Sequence, residues 1–394
     1  MPAPDAHRAP LLSLTGVRAL ALLWVLGIHY GRVVDFPEPL RTLVGGGAGA
    51  VSTFFVLSGM VLTLNYAPTL AAGVGRKDYA RARLARIGPM YWAALVPALA
   101  VSLYGLRATP DLFEDLLGHS EHRPLALVLD ALGLQSWVPA PGMRDAFNSP
   151  AWSVSTEIGF YLVFPLLAAW LLRERTRRAT AWLLVATGTA MLAVNVLGVL
   201  AVRDASAGTQ RTVLAALYTV PVLRLPEFVV GGLLGVLLLN HDLPARIAGS
   251  RAWRDGLLLV AAGLTLAVLY SPHVPFLQHG TWALLLLDVR RHVAFLPAIA
   301  LALLLVAAGR TSVHPLLESR VAQRLGLASY AVYLVHWSLL QPYLLHVRDT
   351  RDDFPPLWQP TLLLAATLAL GLAAHHWLEE PLRRRLTRRE PVVA

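Results

Sequence analysis

Apolar residues recur along the chain in runs of about twenty, the length an α-helix needs to cross ~30 Å of hydrocarbon. Ten such runs are predicted, at 14 to 34, 46 to 66, 87 to 106, 150 to 172, 180 to 202, 220 to 239, 255 to 271, 292 to 308, 326 to 346 and 360 to 379. Leu284 to Leu287, before the eighth run, reads either as part of a span or as an interfacial helix. The longest connection, 107 to 149, is too short and too rich in Pro and Gly for a core of its own. The fourth run opens at NSPAWSVSTE, where Ser149 is placed to cap the helix and Pro150 to take its first position. Gly45 to Gly49 lacks the Lys-Ser/Thr of a phosphate-cradling loop and reads as a turn opening a closely packed helix.

Composition agrees with this pattern. Of 394 residues, 56% are hydrophobic and 15% charged, with a mean hydropathy of +0.55. That is too apolar for a soluble domain of this size, so the expected fold is an all-α integral membrane protein of about ten transmembrane helices. The expected divisions are a cytoplasmic segment 1–13, a transmembrane domain 14–381 and a basic cytoplasmic tail 382–394. The formal charge of +10 is explained by Lys and Arg held on one side. With the N-terminus inside, 21 of the 34 basic residues fall in cytoplasmic segments and 11 in the opposite ones, leaving Arg18 and Arg224 within spans. Both termini are therefore expected in the cytoplasm, and no nucleic-acid motif accompanies the charge. The first run has no small-residue cleavage site after it and is expected to stay in the mature protein. With no cysteine in the chain, covalent or acid-base chemistry falls to His, Ser, Asp or Glu.

Several polar residues lie inside the predicted spans, where an ionisable side chain is costly and normally faces the bundle interior. Arg18 and His29 stand eleven residues apart, about three turns and roughly 16 Å, on one face of the first helix. Glu157 is roughly 10 Å along the fourth helix from its outer end, a depth matching that of His29. A His oriented by a carboxylate can deprotonate a hydroxyl. Arg83 and Arg86, one turn apart, suit either a positive-inside anchor or bidentate phosphate binding. Arg224 and Glu227, three apart, either neutralise each other or face a substrate. Tyr330, Tyr333 and His336 form a stripe that is either a packed hydrogen-bond ladder or a substrate wall.

The segments LTGVRALALLWVLGIHY, FFVLSG (54–59), RLARIGPMYW (83–92), WSVSTEIGFYLVFP (152–165), LGLASYAVYLVHW (325–337) and LEEP (378–381) resemble, in order, blocks of the acyltransferase-3 family of bacterial membrane O-acyltransferases. The similarity runs over nearly the whole chain, and the length suits its short members, which include macrolide-antibiotic acyltransferases. The resemblance implies a multi-pass protein of the bacterial inner membrane. Its implied activity moves an acyl group, often acetyl, from acyl-coenzyme A to a hydroxyl of a sugar or sugar-bearing acceptor, without a metal. It implies His29 and Glu157 as catalytic and Arg18, Arg83 and Arg86 as donor-binding. Ser58, Trp152, Ser153, Arg224, Glu227, Tyr330, Tyr333 and His336 are the candidate substrate contacts. Many members carry Asp two residues before the Phe-Phe pair, where this chain has Ser52.

On this reading the donor enters from the cytoplasm with its phosphates near Arg18, Arg83 and Arg86. His29 acts as general base or takes the acyl group itself, with Glu157 orienting it. A transporter of a small polar or anionic solute is the alternative, since ten helices with buried Arg, Glu and His also describe permeases. A non-catalytic membrane scaffold or sensor is a third reading. The transporter is disfavoured by the absence of matched halves with paired interrupted helices.

Overall fold

The computed structural model describes residues 8–108, 123–140, 142–240, 249–271, 283, 288–289, 292–350 and 355–387. The residues 284–287 lie outside that set. The described chain is helical throughout, with no strand. In order the helices are α1 (Arg8–Tyr30), α2 (Leu40–Gly45), α3 (Ala48–Ala71), α4 (Arg76–Ala108), α5 (Arg123–Leu132), α6 (Trp152–Leu171), α7 (Arg177–Ala201) and α8 (Ala207–Thr219). There follow α9 (Pro221–Asn240), α10 (Arg251–Tyr270), α11 (Leu296–Ala308), α12 (His314–Leu317), α13 (Arg320–Thr350), α14 (Trp358–Ala374), a π-helical turn His375–Glu379, and α15 (Glu380–Thr387).

Each of the ten apolar runs falls on one of these helices. Among the described residues, eight helical stretches are long and apolar enough to cross a membrane: those containing α1, α3, α4, α6, α7, α9, α10 and α14. The other two differ for identifiable reasons. α11 has only 13 residues, which at 1.5 Å each reach ~20 Å rather than ~30 Å. α13 has 31 residues, but its stripe of Ser329, Tyr330, Tyr333, His336 and Gln341 faces the protein interior and lowers its hydropathy.

The centre of the bundle is built by close helix crossings. A Cβ on Gly59 of α3 would fall 2.0 Å from the Phe228 carbonyl oxygen of α9, and one on Gly231 of α9 would fall 1.8 Å from Val56 O of α3. In lipid, where no hydrophobic drive pushes helices together, small residues permit this approach and its dispersion gain. Gly326 does the same for α1 and α13, its Cβ position lying 2.0 Å from Thr15 O. A Cβ on Gly49 would fall 2.7 Å from the Phe295 ring, so the Gly45 to Gly49 segment does open a tightly packed helix. Phe55, Phe160, Phe164, Phe228, Ala331 and Leu334 fill the core between α3, α6, α9 and α13.

The described part of the connection between α4 and α6 adds a small apolar cluster to the bundle. α5 and the segment after it bury Ala126, Met143, Ala146 and Phe147 against Ala98 of α4. The cluster exists because α4 supplies one wall. Ser149 does not cap α6: its hydroxyl donates to Asp145 at 2.8 Å. Pro150 opens a single 3₁₀ turn, Ser149–Ala151, that leads into the helix.

Candidate active site

The start of α6 is pinned to α13 inside the bundle. Asn148 Nδ2 donates to Leu334 O (2.9 Å), and the Tyr333 hydroxyl contacts both Pro150 O (2.6 Å) and Ser153 Oγ (2.8 Å). Because Ser149–Ala151 already lies at the depth of Tyr333, Glu157 enters the bundle a further two turns in. The structure therefore does not bring Glu157 to His29. Glu157 Oε1 instead accepts from Ser58 Oγ (2.8 Å) and Tyr161 OH (2.6 Å).

His29 meets a different partner. Its Nδ1 lies 3.0 Å from Nε2 of His336, and its ring packs edge-on against Trp337 at 5.5 Å between centroids. His336 is fully buried, whereas His29 remains partly accessible. The other nitrogen of His336, Nδ1, hydrogen-bonds the backbone carbonyl of Tyr333. A carbonyl only accepts, so His336 Nδ1 carries the proton and, in the neutral dyad, Nε2 is the acceptor. The proton between the rings then belongs to His29 Nδ1, leaving the lone pair of His29 on Nε2. A carbonyl–His–His chain thus stands where the sequence led us to expect a carboxylate.

Glu157 lines an inner cavity of about 50 Å³ together with Arg18, Phe54, Phe55, Ser58, Ser153, Tyr330 and Tyr333. Arg18 also lines a second, wider cavity of about 540 Å³ at the end of the bundle where both ends of the described chain meet. The wider cavity is basic, with Arg86, His375, His376, Arg383 and Arg384 around Glu380. Arg18, whose buried Nε has no hydrogen-bond partner among the described residues, lines both. It joins the two cavities. On α13, Tyr330 and Tyr333 line the inner cavity and His336 follows one turn further along the same stripe, where it meets His29 of α1; neither histidine lines either cavity.

The remaining candidates separate into those that line the inner cavity and those that do not. Ser58, Ser153, Tyr330 and Tyr333 line the inner cavity, although Tyr330 turns its hydroxyl to Ile87 O at 3.0 Å. Trp152, Arg224 and Glu227 do not. Arg224 and Glu227 are fully buried in a bidentate pair (2.8 and 3.0 Å). The guanidinium also donates to Tyr218 O and Ser52 Oγ and stacks on Phe55, Tyr218 and Trp152. With its donors so engaged, the pair joins α9 to α3 rather than facing the cavity. An Asp at position 52 would share the guanidinium that Glu227 already neutralises.

Arg83 and Arg86 also part company. Arg86 faces the basic cavity, paired with Glu379 and stacked on Tyr330. Arg83 sits over Tyr66, Tyr161 and Tyr79 at 4.9, 5.5 and 5.9 Å and donates to Tyr66 OH at 2.9 Å. It lines a separate, largely apolar cavity of about 360 Å³ between α4 and α6. Sequence reasoning missed His375, His376, Arg383 and Arg384 as site residues, having counted the arginines as tail. The steps of four in 375–379–383 and 376–380–384 were the available signal, since they put these side chains on one helical face.

Residues 11–376 match the family described as Acyltransferase domain (Acyl_transf_3). Acyltransferase MdmB of Streptomyces mycarofaciens is 30% identical over an alignment of 413 residues that covers 99% of this chain and 95% of the relative. No solved structure matches.

Proposed function

Since this chain belongs to the Acyltransferase domain family and is a membrane acyltransferase, we propose that it moves an acyl group, acetyl in the simplest case, from acyl-coenzyme A to a hydroxyl of a sugar or sugar-bearing acceptor. A cell-surface glycan, a glycolipid and a macrolide-type metabolite are the acceptor classes. The observation that supports this reading is a basic mouth joined at Arg18 to an inner cavity, with a histidine whose Nδ1 is held by His336 further along the same face of α1. Family membership sets the transporter alternative aside.

In this mechanism the donor's charged end stays in the basic cavity, near Arg18 and Arg86, and its extended arm follows α1 towards His29. That distance along the helix is ~16 Å. His29 Nε2 takes the proton of the acceptor hydroxyl as the oxygen attacks the thioester carbonyl. The C–S bond breaks, and the sulfur leaves as thiolate to be protonated from the imidazolium. Transfer through an acyl-imidazole on Nε2 uses the same lone pair. Glu157, bonded to Ser58 and Tyr161 rather than to His29, serves to hold the inner cavity in shape rather than to charge-stabilise His29. The test has two parts. Purified protein incubated with acetyl-coenzyme A should release free thiol when given the acceptor, and mass spectrometry of parent and deletion strains should show one lost acyl mass that identifies that acceptor. No lost acyl mass and no thiol release would refute the proposal.

A further inference from the structure

At the mouth of the basic cavity the last helix changes its winding. α14 runs regularly to Ala374, the turn His375–Glu379 is π-helical, and α15 resumes at Glu380. A π-turn is rare, is found mostly at functional sites, and shifts the phase of every residue after it. Here it precedes Glu380, Arg383 and Arg384, which line the same cavity as His375 and His376.

The charge on this wall exceeds what the protein neutralises. Four guanidiniums line the cavity, from Arg18, Arg86, Arg383 and Arg384, against the single lining carboxylate of Glu380. Glu380 is itself divided between Arg383 (2.7 and 2.9 Å) and Arg384 (2.7 Å). Glu379 is taken by Arg86 and by His375 Nδ1. Each guanidinium has five donors in a fixed fork. Arg383 spends Nε and one terminal nitrogen on Glu380, and Arg384 spends only Nε. The unspent donors face a cavity of about 540 Å³, within the range of a nucleotide-sized ligand and larger than a lone phosphate needs. Forked donors in surplus are suited to phosphate oxygens, taken bidentately.

We propose that the π-turn and α15 build the phosphate subsite of the donor, with Arg383, Arg384 and His376 gripping the 3′-phosphorylated adenosine diphosphate and Arg18 and Arg86 receiving the end nearest the pantetheine arm. The inference rests on the acyl-coenzyme A reading above. It moves donor recognition from the Arg83/Arg86 pair to the last helix, and it leaves Arg83 out.

The probe is adenosine 3′,5′-bisphosphate, titrated calorimetrically into the full-length protein in phosphatidylcholine nanodiscs. The wild-type protein is expected to bind it, and Arg383→Gln/Arg384→Gln to bind it about tenfold or more weakly, as expected for lost charge-assisted contacts. Arg384→Gln alone, at an exposed site, gives an intermediate loss should the double variant be poorly folded. The same variants should lose about tenfold of the wild-type preference for acetyl-coenzyme A over acetyl-pantetheine, which lacks the nucleotide. Equal bisphosphate affinity in folded wild type and double variant overturns the subsite and leaves the donor reading intact. A wild-type protein that neither binds the bisphosphate nor prefers acetyl-coenzyme A overturns both. Native mass spectrometry covers the other source of phosphate. Anionic phospholipid that co-purifies with wild type and is lost in the double variant, with bisphosphate binding unaltered, would make this a lipid headgroup site and overturn the proposal.

Discussion

Replacing His336 with Leu tests the histidine chain most directly. The side chain is fully buried and its Nε2 is the acceptor for His29 Nδ1 at 3.0 Å, so Leu fills comparable volume while removing that acceptor, together with the Nδ1–H bond to Tyr333 O. The His29 ring stays packed on Trp337, but its Nδ1–H loses its partner and either tautomer becomes open to it. A buried donor left without an acceptor costs ~1–3 kcal/mol. At ~1.4 kcal/mol per factor of ten, that is roughly 5- to 150-fold in kcat. The loss should fall on kcat rather than on KM for the donor, since His336 lines neither cavity. His336→Gln places an amide oxygen near the position of Nε2 and should recover about a factor of ten of the ~100-fold range. Thiol release from acetyl-coenzyme A, with the acceptor identified by the metabolite comparison, measures the rates. Nitrogen-15 imidazole shifts report the tautomer independently, with His29 Nε2 unprotonated in the wild type. A folded His336→Leu protein with parental kcat, or a Gln variant no better than Leu, would refute the chain as the orienting element.

Three further outcomes follow from the same geometry. His29→Ala should lower acyl transfer by at least ~100-fold, the scale of general-base catalysis, while purifying and melting like the wild type; near-parental turnover would remove His29 from the mechanism. Arg86→Gln should raise the KM for acetyl-coenzyme A, whereas Arg83→Gln should leave it within about twofold and lower the melting temperature, because Arg83 anchors three tyrosines through cation–π contacts; equal donor effects from the two would return Arg83 to the binding site. Asp130 in α5 is buried, its Oδ2 has no partner among the described residues, and burial pushes its carboxyl up to about 8 with help from Asp145. A carboxyl raised in the folded state stabilises the fold below its unfolded value near 3.8, and that contribution is lost as pH rises through about 8. Asp130→Asn should therefore raise the melting temperature at pH above ~8 by about 2 °C or more and flatten its decline; a parallel pH curve in the variant would show that Asp130 ionises freely.

Hydrophobic periodicity was enough to locate the spans, because a helix in lipid must satisfy its own backbone and announces itself by a run of about twenty apolar residues. It was enough also to mark Arg18, His29, Glu157 and the α13 stripe, since ionisable groups in such runs are costly and few. The pairing of those residues was a tertiary decision. Counting from the surface put Glu157 level with His29, but the bonds from Asn148 and Tyr333 draw the start of α6 into the bundle. Glu157 is carried inward to Ser58 and Tyr161, and His336 is left as the partner of His29. Arg83 and Arg86 look equivalent one turn apart, yet a three-residue step on a helix turns the side chain by ~300°, so one meets tyrosines and the other the basic cavity. Arg383 and Arg384 read as a tail because a sequence shows their charge but not the α1, α4 and α13 surfaces that the π-turn sets them against. Within one helix a single period governs which residues share a face; between helices, register is set by where glycines and side-chain hydrogen bonds let two backbones come to rest.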